Sequence, residues 1–94
     1  MTDYPSKIGL CGKTAVVSGG LGLIGREICR AFVQAGARTL IIDIDAKAGR
    51  NFAQELGPDA CYINFDLTRL GEIDRFMDGL NAKYGAIDIL VNNA

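Results

Sequence analysis

The chain has 94 residues, enough for one small domain. Hydrophobic residues make up 49% and charged residues 22%, which matches a soluble globular protein and excludes a disordered tail. A net charge of −1 offers no basic footprint for nucleic acid or an anionic membrane. The chain contains no histidine, which excludes histidine-based acid–base catalysis and histidine metal ligation.

The three cysteines, Cys11, Cys29 and Cys61, are odd in number and form no CxxC pair. This pattern favours free thiols in a reducing compartment and offers no recognisable metal site. No apolar run approaches the about 20 residues that a membrane helix needs. We therefore expect a cytoplasmic protein without a metal, membrane or nucleic-acid partner.

Apolar runs alternate with amphipathic segments from residue 14 onward. Residues 14–18 predict a buried strand, and a glycine-rich loop leads from it into a helix that ends near Gly36. The apolar stripe of this helix is predicted to contain Ile24, Ile28, Ala31, Phe32 and Ala35. Residues 39–42 predict the second strand, and Asp43 closes it.

Two further strand–helix units follow the second strand. Asp45 is expected to cap a helix that stops at Gly57 and Pro58. The inner face of that helix is predicted to carry Ala48, Phe52, Ala53 and Leu56. Residues 60–63 predict the third strand, and Thr68 is expected to open a helix that ends at Gly85. One stripe of this last helix is predicted to carry Leu70, Ile73, Met77, Leu80 and Tyr84.

Residues 87–91 predict a fourth, continuously apolar strand. Repeated strand–helix units favour right-handed crossovers and a parallel sheet, so the predicted fold class is α/β. A parallel strand as apolar as this one needs neighbours on both edges, and the sequence stops three residues later. We therefore expect residues 1–94 to form an incomplete domain.

The segment after the first strand reads SGGLGLIG, residues 18–25. Gly20, Gly22 and Gly25 satisfy the pattern GxGxxG, in which the missing side chains let the backbone approach a pyrophosphate closely. The start of the following helix directs free amides and partial positive charge to the same place. The pattern alone also fits glycines that only make a tight strand–helix turn.

Two acidic residues follow the second and third strands. Asp43 comes 18 residues after Gly25 and is placed to accept the hydroxyls of an adenosine ribose while repelling a 2′-phosphate. Ile44 and Asp45 follow it, with no arginine, which favours NAD over NADP; Asp43 also fits a solvated strand end. Asp66 fits either a hydrogen bond to an adenine amine or, more simply, the cap of the helix near Thr68.

The chain resembles the short-chain dehydrogenase/reductase family. The resemblance rests on four features in order: the loop at 18–25, Asp43, the Asp66-Leu67-Thr68 triplet and the closing segment DILVNNA at 88–94. The closing segment is the most diagnostic, because the family's fourth strand ends in Asn-Asn-Ala-Gly. The resemblance implies a partial Rossmann fold, with about four parallel strands in the order 3-2-1-4 and helices on both faces.

The resemblance also implies a set of residues that bind the dinucleotide. Carried over position by position, the set is Gly19, Gly20, Leu21, Gly22, Leu23, Ile24, Gly25, Asp43, Ile44, Asp66, Leu67, Asn92, Asn93 and Ala94. The family loop reads TGxxxGxG, whereas this chain has Ser18 and Leu23 at two of those positions; the extended form TGxxGxxG fits the glycines better. The subfamily, and with it the substrate, therefore stays open.

The family's catalytic Tyr-x-x-x-Lys pair does not occur in these residues. Tyr4, Tyr62 and Tyr84 are followed four residues later by Ile8, Asp66 and Asp88, none of which is lysine. We therefore expect the chain to be inactive by itself and its parent protein to be a homo-oligomeric, NAD-dependent oxidoreductase of alcohols and carbonyls. The chain itself is expected to self-associate through the fourth strand.

Two other classes compete with the oxidoreductase interpretation. A non-catalytic dinucleotide-binding or redox-sensing module would use the same pocket. A methyltransferase half also places a glycine loop after its first strand, but there an acidic residue is expected where this chain has Ser18.

Overall fold

A computed structural model of the chain describes residues 9–93, so Tyr4, Ile8 and Ala94 lie outside the described residues. Strands and helices alternate within that range, as the apolar pattern predicted. The elements are β1 (Thr14–Ser18), α1 (Leu23–Gln34), β2 (Arg38–Asp43), α2 (Ala46–Leu56), β3 (Ala60–Asn64), a 3₁₀ turn (Leu70–Glu72), α3 (Ile73–Tyr84) and β4 (Ile89–Asn92). The Asp45 carboxylate accepts a hydrogen bond from the Ala48 amide at 3.0 Å, which confirms the predicted cap of α2.

Residues 9–93 form a parallel four-stranded sheet in the order β3-β2-β1-β4, as predicted. Val16 of β1 lies opposite Leu40 of β2 on one side and Leu90 of β4 on the other. All four strands run the same way, so their carboxyl ends meet at one edge of the sheet. The strand order reverses beside β1, and α/β sheets bind ligands in the crevice at such a reversal.

Helices cover both faces of the sheet, as predicted. The period-two alternation of each strand sends neighbouring side chains to opposite faces. Val17 and Ile41 pack with Cys29 of α1 and Phe52 of α2. The opposite face is buried by α3, through a cluster of Val16, Leu40, Ile42 and Leu80. Burial of these apolar side chains on both faces is what holds the strands, and hence the strand ends, in place.

The third helix begins later than the sequence predicted. Helix α3 starts at Ile73 instead of Thr68, because the Asp66 carboxylate binds the Thr68 amide at 2.9 Å and the Thr68 hydroxyl at 2.7 Å. Such a local side-chain bond offers the backbone an alternative to the helix. Leu70 therefore falls in the 3₁₀ turn, where it is 76% exposed, so its predicted place on the stripe of the helix is wrong.

The fourth strand is also displaced from its predicted bounds of 87–91. The ladder of β4 begins at Ile89, opposite Ala15, and extends to Asn92, opposite Ser18. Asp88 precedes the strand, and its carboxylate accepts the Thr14 amide at 2.9 Å while its own amide donates to the Thr14 carbonyl. A polar side chain therefore anchors the point where β4 joins β1.

Candidate functional site

An open cleft of about 590 Å³ lies at the carboxyl edge of the sheet, on the face covered by α3. The predicted site residues that line it are Gly19, Asp43, Ile44, Asp66, Leu67 and Asn92. They come from the ends of β1, β2, β3 and β4, which the parallel topology gathers at one edge. Phe65 and Phe76 also line the cleft, and their rings stack with centroids 3.9 Å apart. The cleft therefore combines polar strand ends with an apolar wall, as ligand-binding clefts do.

Two glycines in the loop at 19–25 are required by the turn itself. Gly19 has φ +66°, a left-handed backbone conformation that residues other than glycine rarely adopt. A Cβ on Gly25 would overlap the Gly19 carbonyl oxygen, so the start of α1 can cross the loop only without a side chain there. For these two positions, the simple interpretation of a tight strand–helix turn suffices.

Gly22 is different, because the packing of the chain does not demand it. A Cβ on Gly22 would come no closer than 3.4 Å to the Gly19 carbonyl oxygen and 3.8 Å to the Asn93 amide nitrogen, which is ordinary contact. Gly22 is also the N-cap of α1, with extended backbone and no side-chain capping bond. The missing side chain at this position leaves the first amides of the helix open to a ligand.

The start of α1 carries the partial positive charge of a helix N-terminus. The first turn holds no acidic residue, so the partial positive charge of the helix end is not neutralised by the helix. Leu23 is 86% exposed and Ile24 66% exposed, beside those amides. Ile24 belongs to the apolar stripe predicted for α1, yet the buried residues of this helix are Gly25 and Cys29. Such an end suits an anion with an apolar neighbour.

Asp43 connects the second strand to the glycine loop. Its carboxylate accepts the Leu21 amide at 3.2 Å through Oδ2 and the Ile44 amide at 2.8 Å through Oδ1. The half-buried carboxylate therefore lies against the loop and is not simply a solvated strand end. Each carboxylate oxygen can accept more than one hydrogen bond, so the group retains capacity for hydroxyl donors.

Asp66 is not the cap of α3. The N-cap position is Glu72, which makes no side-chain capping bond, and Asp66 instead closes a turn onto Thr68. The two hydrogen bonds from Thr68 lower the pKa of Asp66, the side-chain bond contributing most. The carboxylate therefore stays ionised at the cleft, next to Leu67.

The end of β4 is tied to the first turn. The Ser18 hydroxyl lies 3.1 Å from Asn92 Oδ1 and 3.2 Å from the Val91 carbonyl, and it can donate to either. Asn93 donates its backbone amide to the Ser18 carbonyl at 3.2 Å and its side-chain amide to the Gly19 carbonyl at 3.4 Å. The predicted residues of the loop and of β4 therefore meet, and Ala94 lies outside the described residues.

Arg26 and Tyr62 support the site, although the sequence pattern did not predict them as site residues. Arg26 Nε donates to the Leu21 carbonyl at 2.9 Å, and its guanidinium lies 4.7 Å from the Phe52 ring centroid. The Tyr62 hydroxyl donates to the Asp43 carbonyl at 2.7 Å. The position of Arg26 directly after the last loop glycine is the one sequence signal for its contact; nothing in the pattern marks Tyr62.

Among residues 9–93, no group of three His, Cys, Asp or Glu side chains could hold a metal ion. No helix in that range is long and apolar enough to cross a membrane. Burial raises the pKa of the Cys29 thiol to about 11, so this cysteine remains protonated beneath the loop and is a poor nucleophile.

A model of the short chain dehydrogenase family matches residues 13–94. The chain belongs to this family. It is 48% identical over 85 residues to a sorbitol dehydrogenase from Cereibacter sphaeroides, covering 90% of this chain and 33% of that protein. It is 44% identical over 85 residues to zerumbone synthase from Zingiber zerumbet, covering 88% of this chain and 32% of that protein. The chain thus spans about a third of the length of the curated relatives it matches.

Solved structures of this family have the same fold. The NADP active-site complex of Pseudomonas aeruginosa RhlG superposes with a TM-score of 0.83 at 36% identity, over 100% of this chain and 36% of that one. A 3-ketoacyl-(acyl-carrier-protein) reductase from Brucella melitensis, complexed with NADH, superposes with a TM-score of 0.77 at 28% identity. The match covers 87% of this chain and 34% of that one. The predicted family and Rossmann-type architecture are confirmed.

Proposed function

We propose that this chain is the dinucleotide-binding part of an NAD-preferring short chain dehydrogenase that oxidises alcohols or reduces carbonyls. The observation that carries the proposal is the arrangement around Gly22. The start of α1 has no side-chain cap and no acidic residue in its first turn. The loop that leads into it contributes Gly19 to the lining of the cleft, and the Asp43 carboxylate is hydrogen-bonded to the same loop. An anionic diphosphate joined to a ribose fits both features.

Each part of the cleft suits one part of a dinucleotide. The loop at 19–25 would hold the pyrophosphate through backbone amides, and Asp43 with Ile44 would take the adenosine ribose. Asp66 and Leu67 would contact the adenine, and Asn92 with Asn93 would line the second ribose. When bound, the nicotinamide ring supplies the carbon that accepts or gives up hydride.

The preference for NAD rests on the charge of Asp43. A 2′-phosphate on the ribose would be repelled by this carboxylate, whereas free hydroxyls can donate to it. No arginine follows Asp43 to neutralise a phosphate, because Ile44 and Asp45 occupy those positions. One similar solved structure is an NADP complex and another an NADH complex, so the proposed preference rests on Asp43 and not on the shared fold.

The proton transfer that accompanies hydride transfer needs residues that these 94 do not contain. Neither Tyr62 nor Tyr84 has a lysine four residues later, and their hydroxyls contact the Asp43 carbonyl and the Cys61 thiol, respectively. Burial raises the pKa of Tyr62, and the Cys61 contact raises that of Tyr84. We therefore propose that the chain binds the cofactor and is inactive by itself.

The parent protein is proposed to be a cytoplasmic homo-oligomer. Cys11, Cys29 and Cys61 are all free thiols, as suits a reducing compartment.

Titration with NAD⁺ and NADP⁺, followed by NMR shifts or calorimetry, tests the proposal. We expect the chain to bind NAD⁺ with a dissociation constant weaker than about 1 µM, since part of the cofactor would be left in solvent. Asp43→Ala should lower the ratio of NAD⁺ to NADP⁺ affinity by about tenfold, because hydrogen bonds to a charged group are lost. Asp59→Ala removes an exposed acid at the start of β3 and should leave the ratio unchanged.

Two results would count against this function. Failure to bind either dinucleotide would show that the cleft is not a dinucleotide-binding site. A ratio that Asp43→Ala leaves unchanged would remove Asp43 from its assigned role.

A further inference from the structure

Tyr62 lies outside the cleft, yet its hydroxyl reaches the residue proposed to bind the ribose. The side chain extends from β3 on the face of α2, where its ring packs with the cluster around Phe52. Its hydroxyl donates to the Asp43 carbonyl at 2.7 Å. In the sheet, Tyr62 pairs with Ile41, so the phenol spans from that position to the last residue of β2.

Helix α2 is built to admit this ring. Gly49 is the fourth residue of the helix and is buried, although glycine destabilises a helix relative to alanine. A Cβ on Gly49 would overlap the Tyr62 ring. The helix therefore carries an unfavourable residue at the one place where the ring must pass.

Outside the sheet ladder, the Tyr62 hydroxyl makes the shorter of two hydrogen bonds to the Asp43 carbonyl. The same carbonyl accepts the Phe65 amide at 3.4 Å, and the neighbouring Ile44 carbonyl accepts the Asn64 side-chain amide at 3.4 Å. These two bonds are long and correspondingly weak. The orientation of the Asp43 carboxylate depends on that backbone, because the Ile44 amide is one of its two partners.

We infer that Tyr62 is a positioning residue for dinucleotide selectivity: its phenol, admitted by Gly49, holds the end of β2 so that the Asp43 carboxylate faces the adenosine ribose. This inference rests on the proposed function. Two ribose hydroxyls require a carboxylate in a defined orientation, so loss of the tether weakens NAD⁺ binding. NADP⁺ gains nothing from that orientation, so its binding changes little.

The alternative is that Tyr62 is only a packed aromatic side chain whose hydroxyl is satisfied. Tyr62→Phe separates the two interpretations, because it keeps the ring and removes the hydroxyl. Tyr84→Phe is the matched control: it removes the hydroxyl of a second half-buried tyrosine, which contacts the Cys61 thiol at 3.3 Å.

The experiment measures both selectivity and local structure in the chain. Tyr62→Phe should lower the ratio of NAD⁺ to NADP⁺ affinity by about threefold to tenfold, the effect of one hydrogen bond. It should also move the NMR amide resonances of Leu21 and Ile44, which donate to the Asp43 carboxylate. Tyr84→Phe should change neither quantity, and circular dichroism should show both variants folded.

A second measurement needs no substitution. With the tyrosine rings isotopically labelled, saturating NAD⁺ should shift the Tyr62 ring resonances more than NADP⁺ does and leave those of Tyr84 in place. If Tyr62→Phe does not fold, this comparison decides the matter.

Two results would overturn the positioning role of Tyr62 and leave the proposed function standing. In the first, Asp43→Ala changes the ratio of NAD⁺ to NADP⁺ affinity and Tyr62→Phe does not. In the second, NAD⁺ binds without shifting the Tyr62 ring resonances. Failure of the unsubstituted chain to bind either dinucleotide overturns the proposed function, and the positioning role with it. A ratio that falls for Tyr62→Phe and holds for Tyr84→Phe supports both.

Discussion

Leu40 and Leu90 are the same residue on the same face of the sheet, and both lie opposite Val16. Leu40 of β2 is 0% exposed, whereas Leu90 of β4 is 61% exposed. Leu40 has β3 on its other side and belongs to the cluster that Leu80 of α3 completes. Within residues 9–93, Leu90 has no strand beyond it. The difference teaches that position in the sheet, and not residue type, determines burial.

The glycine loop of the candidate site shows the same contrast between a buried and an exposed position. Gly25 faces the buried side of the loop and is required by packing, while Gly22 is exposed and lines nothing in the core. A buried position is thus constrained by the fold, and an open one is available for function.

Truncation of the two leucines should give the largest difference in the free energy of unfolding. Leu40→Ala should lower the free energy of unfolding by about 2–5 kcal/mol, because it opens a cavity in a fully buried cluster. Leu90→Ala should cost less than about 1 kcal/mol, since most of that side chain already contacts solvent. Urea denaturation of the two variants measures both values. Equal losses would show that β4 is as well packed as β2.

The two glycines give a smaller, more specific test. Gly25→Ala should destabilise the chain by about 1–3 kcal/mol, because its methyl group overlaps the Gly19 carbonyl oxygen. Gly22→Ala should leave stability within about 1 kcal/mol and still weaken NAD⁺ binding, since the methyl group would cover the open start of α1. Thermal unfolding and dinucleotide titration of both variants separate the two effects. Undiminished binding by Gly22→Ala would place the ligand elsewhere.

The smallest expected effect concerns self-association through the exposed edge of β4. We propose that copies of the chain associate through β4, whose outer edge has no partner within residues 9–93. Leu90→Lys should weaken this association, while Gln54→Lys, on the exposed side of α2, should not. Sedimentation at several concentrations measures it, and a monomer throughout for the unsubstituted chain would contradict the proposal.

Much of the fold could be predicted because local patterns dominate it. The strand at Thr14–Ser18, the Asp45 cap and the alternation of strands with helices follow from short-range chemistry, and the structure has them as expected. The start of α3 could not be predicted, because the bonds from Thr68 to Asp66 compete with helix formation. The start of β4 depended likewise on a contact between Asp88 and Thr14, 74 residues apart.

The sequence by itself determined the class of fold, the glycine loop and the acid after the second strand, because each is encoded in residues adjacent in the chain. The tertiary structure alone decided which apolar residues are buried, which glycines the turn requires, and that Tyr62 contacts Asp43. These facts depend on which strands become neighbours, and a linear pattern carries no distance between side chains that only the folded sheet brings together.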